Sequence, residues 1–267
     1  MTSPTTNSTA LITGASSGIG AIYAERLAHR GYNLVLVARN RERLDRIAVR
    51  LADETGRTIE IIQADLNKAP DLARVEKVLQ TDASINLLIN NAGLGAVGPL
   101  LASKVDKMVD IINLNVVALT RLSYAIAPGF VARGGGSIIN IASIVGLAPE
   151  LLNGVYGASK AYVIALSRSL KQELAEKNVY VQAVLPGATA TDFWELSGKP
   201  VSELDSAIVM SAEDMVDAAL VAFDQQEFIT IPALPEIEDW NAYEAARQKL
   251  LPNLSRQHPA TRYRVIA

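Results

Sequence analysis

Two short stretches carry residue types whose spacing could do chemistry. In "GVYGASKAYV" (154–163), Tyr156 is followed four residues later by Lys160, and no other of the eight tyrosines has a lysine at that distance. On a helix, positions i and i+4 share a face. A phenol titrates at about pH 10 and is a poor base near neutrality, whereas a neighbouring ammonium stabilises the phenolate and lowers that pKa. The pair reads either as a proton-handling couple or as two solvated helix neighbours, and spacing alone leaves both open. In "TGASSGIG" (13–20), glycines stand at 14, 18 and 20. Gly14 permits a tight turn, Gly18 lets the backbone approach a phosphate, and Gly20 lets a helix pack closely on a sheet. Ser16, Ser17 and Ile19 complete the loop, whose following helix would offer free N–H groups and a positive dipole end to a pyrophosphate. The spacing is GxxxGxG rather than GxGxxG, and no Gly-Lys-Ser/Thr follows, which excludes a P-loop.

Elements able to position these stretches alternate along the chain. Strands are predicted at 9–13, 33–38, 58–64, 85–90, 136–142, 179–185 and 228–234, most of them continuous apolar runs of the kind buried on both faces. Helical stretches lie between them near 18–30, 40–55, 68–81, 101–131, 155–177 and 212–225. Such β-α alternation implies a doubly wound α/β sheet of seven mostly parallel strands with helices on both faces. With no linker or repeat, residues 1–267 read as a single domain, with a flexible stretch at 1–7 and a C-terminal extension at 236–267. That extension contains "EDWNAYEAARQKLL", in which Trp240, Tyr243, Ala246 and Leu250 recur at helical spacing, a face expected to pack on the body, with a substrate lid as the alternative.

The second predicted strand ends "VLVARNRERL". Dinucleotide sites that take NAD often place an acidic residue here to bind the ribose 2′-hydroxyl. This chain has Ala38 and Arg39, and a guanidinium suits a 2′-phosphate. Arg39, assisted by Arg43 or Ser16, therefore points to NADP(H) in preference to NAD(H).

Composition narrows the classes further. Hydrophobic residues make up 49% and charged residues 20% of the 267, a folded rather than a disordered profile. The net charge is −3 with no basic block, which argues against nucleic acid and anionic membranes. The chain has no cysteine and only two histidines, His29 and His258, so thiolate chemistry and a multi-histidine metal site are excluded. The polar start "MTSPTTNSTA" does not resemble a signal peptide, and no uninterrupted run of about 18 apolar residues occurs. A cytoplasmic protein is expected.

Taken together, "TGASSGIG" at 13, "NNAG" at 90, "NVVA" at 115, "NIASIVG" at 140, "YGASK" at 156 and "PGATAT" at 186 resemble, in order, the motifs of the short-chain dehydrogenase/reductase family. The resemblance spans residues 8 to about 235 and implies a single Rossmann-type NADP-binding domain with a seven-stranded parallel sheet, and a nicotinamide cofactor across the carboxyl ends of the strands. It also implies a catalytic tetrad of Asn115, Ser143, Tyr156 and Lys160. Lys160 would lower the Tyr156 pKa and hold the cofactor ribose, Ser143 would bond the substrate oxygen, and Asn115 would hold a water leading from Lys160 to solvent. Asp65 with Leu66 would border the adenine, Asn90, Ala92 and Gly93 would line the cleft, and Pro186, Gly187, Thr189 and Thr191 would cradle the nicotinamide. The implied activity is NADP(H)-dependent interconversion of a carbonyl and a secondary alcohol. Two alternatives on the same fold are a non-catalytic NADP(H)-binding regulator and a non-redox dehydratase or epimerase.

The substrate pocket is expected between the segment after Ser143, the loop after Gly95 and residues 192–210, whose apolar content suits an apolar small molecule. The resemblance further implies a homodimer or homotetramer through the helices at 101–131 and 155–177, whose apolar positions include Ile111, Leu114, Val117, Leu122, Ile164 and Leu170.

Overall fold

The strands are rich in apolar residues, and their sequence position becomes a spatial one in the computed structural model, which describes residues 8–263. The stretch 1–7, expected to be a flexible N-terminus, lies outside the described residues. Strands β1 (Thr9–Thr13), β2 (Asn33–Ala38), β3 (Ile59–Gln63), β4 (Ile85–Asn90), β5 (Gly136–Ile141), β6 (Val179–Val184) and β7 (Ile229–Thr230) form one sheet in the order β3-β2-β1-β4-β5-β6-β7. Every neighbouring pair is parallel. The order reverses between β1 and β4, so the crevice outside their carboxyl ends is where a ligand fits a sheet of this kind.

Helices cover both faces: α1 (Gly18–His29), α2 (Arg41–Thr55), α3 (Ala69–Thr81), α4 (Val105–Ile112), α5 (Leu119–Ala132), α6 (Gly154–Leu174), a short α7 (Phe193–Ser197) and α8 (Ala212–Asp224). One buried apolar cluster packs the α1, α2 and α8 side of the sheet, with Ile12, Leu36 and Val216 among its members. A second packs the α3 and α5 side, with Leu11, Val35, Leu88 and Phe130. Burial on both faces explains why the strands read as continuous apolar runs rather than alternating ones.

The expected helix at 101–131 is not uniform. Between α4 and α5 the chain makes a π-helical segment, Asn113–Ala118, centred near Asn115. Such widened turns are rare, and one extra residue there re-aims a side chain relative to a regular helix. By length and composition the continuous Val105–Ala132 helix could cross a membrane, though no single apolar run signals it; 44% of the relevant window is buried inside the protein, as in a core helix.

The strand expected at 228–234 shrinks to two residues. β7 sits at the sheet edge, and Pro232 has no N–H to continue its ladder. The chain then divides into two compact units, one ending at Pro232 and the other starting at Ala233. The second unit contains α9 (Ile237–Leu250), in which the Trp240 and Tyr243 rings lie 5.3 Å apart while Tyr243, Ala246 and Leu250 remain exposed.

Candidate active site

At the carboxyl end of β1 the backbone turns through Gly14, whose φ of +67° favours glycine. The side chains of Thr13 and Asn91 hold this turn against the end of β4. Thr13 Oγ1 donates to the Ile89 carbonyl at 3.2 Å and accepts the N–H groups of Asn91 and Ala92, each at 3.0 Å. Asn91 Nδ2 donates to the carbonyls of Thr13 and Gly14, at 2.9 and 3.2 Å. Neither residue is among those singled out from the sequence. The signal was present in the second letter of "NNAG", because adjacent residues at a strand end point to opposite sides of the sheet.

Bare glycine backbone makes the rest of this end. A Cβ on Gly20 would lie 2.4 Å from the Gly14 carbonyl oxygen and 2.5 Å from Asn91 Nδ2. A Cβ on Gly18, at φ +51°, would lie 2.9 Å from Thr191 Cγ2. Ser17 occupies the N-cap of α1 without spending its side chain on the helix, and Ser16 and Ile19 are half-buried beside it. These features fit the pyrophosphate of a dinucleotide: close backbone approach, uncapped N–H groups and no anionic side chain in the loop. At the end of β2, Arg39 is exposed, and no carboxylate pairs with its guanidinium among the described residues. Arg43, by contrast, is tied to Asp192 at 2.9 Å, which removes it from the free charge expected beside Arg39.

Several predicted contacts turn away from the crevice. The Asn90 side chain points into the core, where Nδ2 donates to Ser123 Oγ at 3.0 Å and to Asn140 Oδ1 at 2.9 Å. Asn140 in turn donates to Ser167 Oγ, so Asn90 belongs to a buried polar chain joining β4, α5, β5 and α6 rather than to a cleft wall. Leu66 likewise packs in the apolar cluster beside α3. Asp65, half-buried, accepts the Asn67 N–H at 3.1 Å, while its own N–H donates to Asp71. Ala92 and Gly93 remain at the crevice, and a Cβ on Gly93 would come within 3.3 Å of Asn115 Oδ1 and 3.6 Å of Lys160 Nζ.

The other end of the crevice is made of buried side chains. Ser143 follows β5 and Asn153 caps α6, its Oδ1 accepting the N–H groups of Val155 and Tyr156 at 2.9 and 3.4 Å. That cap fixes Tyr156 in the first turn, with Lys160 one turn further on. The Lys160 Nζ lies 5.9 Å from the Tyr156 ring centroid and donates to the Ile141 carbonyl at 2.8 Å. Tyr156 and Lys160 are each only 6% exposed, which sets their acidities. Burial pushes the Tyr156 phenol up to about 12, opposed by a hydrogen bond with Ser143. Burial pulls the Lys160 ammonium down to about 8. The expected lowering of the phenol by Lys160 is not seen: burial raises it, the opposing effect is the Ser143 hydrogen bond, and the same burial acts on Lys160.

Asn115 is buried as well. Its Oδ1 accepts the Leu94 N–H at 2.9 Å, and its Nδ2 donates to the Leu94 carbonyl at 2.9 Å and to Ser159 Oγ at 3.0 Å. Ser159 Oγ then donates to the Tyr156 carbonyl at 2.7 Å. The Asn115 amide thereby ties the Leu94 loop to the turn that carries Tyr156. The π-helical segment is what aims it there.

The nicotinamide-side loop closes the crevice. Ser143 Oγ donates to the Pro186 carbonyl at 3.3 Å, and Thr189 Oγ1 donates to the Gly187 carbonyl at 3.2 Å. Thr191 Oγ1 accepts the Phe193 N–H, leaving the Thr191 methyl toward Gly18. The three segments expected to frame a pocket do converge. Asn153 Nδ2 donates to the Gly98 carbonyl at 2.7 Å, and Phe193 packs over Gly95 and 5.5 Å from the Tyr156 ring.

A parallel sheet with this strand order, a glycine turn at its switch point and helices on both faces defines a nucleotide-binding Rossmann-type protein. The family profile described as short chain dehydrogenase matches residues 8–200, and the chain belongs to the short-chain dehydrogenase/reductase family of oxidoreductases. It is similar to the solved structure of a short-chain dehydrogenase from Sphingobium yanoikuyae in complex with NADPH: 50% identical, covering 96% of this chain and 100% of that one, TM-score 0.94. It is also similar to the bulky-bulky ketone specific alcohol dehydrogenase from Comamonas testosteroni, at 49% identity, 97% and 99% coverage and a TM-score of 0.89. Among curated proteins, a very-long-chain 3-oxoacyl-CoA reductase of Anas platyrhynchos is 34% identical over 192 residues, 70% of this chain. The match spans 62% of that relative's length.

Proposed function

We propose that this protein is an NADP(H)-dependent carbonyl reductase or alcohol dehydrogenase acting on an apolar, bulky ketone or the matching secondary alcohol. The observation that carries the reading is the buried Ser143–Tyr156–Lys160 group at one end of a crevice whose other end is a glycine turn with an exposed Arg39. When bound, the nicotinamide cofactor supplies or accepts the hydride. Gly14, Ser16, Ser17, Gly18, Ile19 and Gly20 would hold its pyrophosphate, Arg39 its 2′-phosphate, and Pro186, Gly187, Thr189 and Thr191 its nicotinamide end.

The chain's own residues handle the proton. With a pKa pushed up to about 12, Tyr156 holds its proton at neutral pH and is poised to donate it to a substrate oxygen as charge develops there. Ser143, bonded to the same phenol, supplies a second hydrogen bond to that oxygen once its one hydroxyl proton turns from the Pro186 carbonyl, 3.3 Å away. Lys160 presents a buried amine beside the Tyr156 ring, and Asn115, through Ser159, fixes the Tyr156 backbone. The aromatic surface of Phe193 beside Tyr156 supports an apolar substrate. So does the likeness to the ketone-specific alcohol dehydrogenase, and the likeness to the NADPH complex supports the cofactor.

The test is direct: NADPH and NADH consumption is followed against aryl and alkyl ketones. Oxidation of NADPH at least ten times more efficient than that of NADH, about the worth of one charge-assisted phosphate contact, supports the assignment. Equal use of both cofactors, or no consumption with any ketone, contradicts it.

A second copy of the chain is the proposed partner. Of the apolar positions read from the sequence, Ile111, Leu122, Ile164 and Leu170 are buried within the protomer, Leu114 is half-buried and only Val117 is exposed. The face left open instead carries Val105, Val109, Ile112, Val117 and Tyr124, an apolar stripe at helical spacing. Light scattering on Val109→Asp checks it; an unchanged mass contradicts it.

A further inference from the structure

Beside Tyr156 the crevice has an aromatic wall. Phe193 opens α7, and its half-buried ring lies 5.5 Å from the Tyr156 ring at a tilt of 45° and 5.7 Å from the Trp194 ring, edge-on. Its position is over-determined. The Trp194 indole N–H donates to the Thr189 carbonyl at 3.0 Å, Asp192 pairs with Arg43, and the Thr191 methyl rests over Gly18. The ring edge is seated where a side chain is missing: a Cβ on Gly95 would lie 2.2 Å from Phe193 Cζ and 2.5 Å from Cε2. The same Cβ would lie 2.6 Å from Oγ of Ser197, a residue 4% exposed, whose hydroxyl has no hydrogen-bond partner among the described residues. A buried hydroxyl left unpaired is costly, and a ring parked over a glycine notch beside it closes space that would otherwise continue the pocket.

The geometry points to Phe193 as the residue that sets the size limit for the substrate, with Gly95 as the notch that seats its ring. The proposal rests on Tyr156 meeting the substrate oxygen, because the wall is defined relative to that phenol. A carbonyl compound reaching Tyr156 lays one substituent against the Phe193 face. Rings that fit beside it gain apolar and edge-to-face contact, and longer substituents meet the ring itself. Truncating Phe193 opens a phenyl-sized space that ends at the Ser197 hydroxyl, so the pocket grows without a change at the glycine turn or at Tyr156.

Binding of acetophenone and benzophenone is measured by calorimetry on the protein saturated with NADP+, a combination that cannot turn over, for the wild type, Phe193→Ala and Phe193→Leu. The ratio of the two dissociation constants is expected to shift toward benzophenone by about ten-fold or more in Phe193→Ala and by an intermediate amount in Phe193→Leu. Phe193→Leu keeps an apolar side chain in the seat and carries the test if the alanine variant does not fold. A ratio within about two-fold of wild type in the folded variants, or no binding of either ketone to any form, overturns the proposal. Tyr156→Phe separates this from the proton-donor reading. Wild-type turnover in that variant would sink the donor role, while the binding ratio would still report on Phe193.

Discussion

The two ends of the crevice are built from opposite materials. The phosphate end is backbone: Gly14, Gly18 and Gly20 work because they have no side chain, and the cation beside them, Arg39, is exposed. The proton end is side chain: Ser143, Tyr156, Lys160 and Asn115 are all buried and bonded. A phosphate arrives with its own charge and needs approach and a mobile guanidinium, whereas a proton transfer needs fixed atoms and shifted acidities. Affinity should therefore reside at one end and turnover at the other.

The sharpest way to break that division is Lys160→Met. Removing the amine beside Tyr156 should lower turnover by about 10²–10⁴-fold, the range for general acid–base groups. A loss confined to NADPH affinity would show that Lys160 belongs to the binding end. Next in size, Gly18→Val places a side chain at φ +51° against Thr191. The strain, about 1–3 kcal/mol, should appear as weaker NADPH binding by about ten- to a hundred-fold in a fluorescence titration, with ketone binding to the surviving complex unchanged. Arg39→Ala should cost about ten-fold in NADPH affinity and leave NADH unchanged, so a matching loss for NADH would assign Arg39 to the shared part of the cofactor.

The smallest effect is on stability. The folded Lys160 titrates at about 8 against 10.5 for an ordinary lysine. Below about pH 8 both folded and unfolded chains carry the proton, and the burial penalty is present in full. From there to about pH 10.5 the unfolded chain binds more protons, so stability rises with pH. Tyr156, raised to about 12, acts in the opposite direction, but only above its ordinary value of 10.0. Urea unfolding of the cofactor-free protein should shift to higher midpoint between pH 7 and about 9.5, and Lys160→Met should remove that slope.

The same contrast decides what was legible in the sequence. Glycine spacing after an apolar strand is a backbone signal, and the turn at Gly14 and the helix from Gly18 lie where the sequence places them. Tyr156 and Lys160 were legible as a pair because one helix face carries both. Their acidities were not, since burial decides the sign and depends on the whole fold. Asn90 and Asn91 are equivalent as letters, yet one anchors the core and the other the glycine turn, because a strand sends neighbours to opposite sides. Asn115 was legible by type, but its bonds to Leu94 and Ser159 were not, because sequence periodicity does not reveal the π-helical segment that carries it. Phe193 reaches Tyr156 only through the seat at Gly95, a contact between residues 98 apart in the chain.

The division between binding and turnover is tested most directly on Tyr156→Phe, by measuring the NADPH dissociation constant and the single-turnover rate of ketone reduction on one preparation. The variant should bind NADPH within about two-fold of wild type and reduce ketone about 10²–10⁴-fold more slowly. A wild-type rate in that variant, or a loss explained entirely by weaker NADPH binding, would contradict the assignment of Tyr156 as the proton donor.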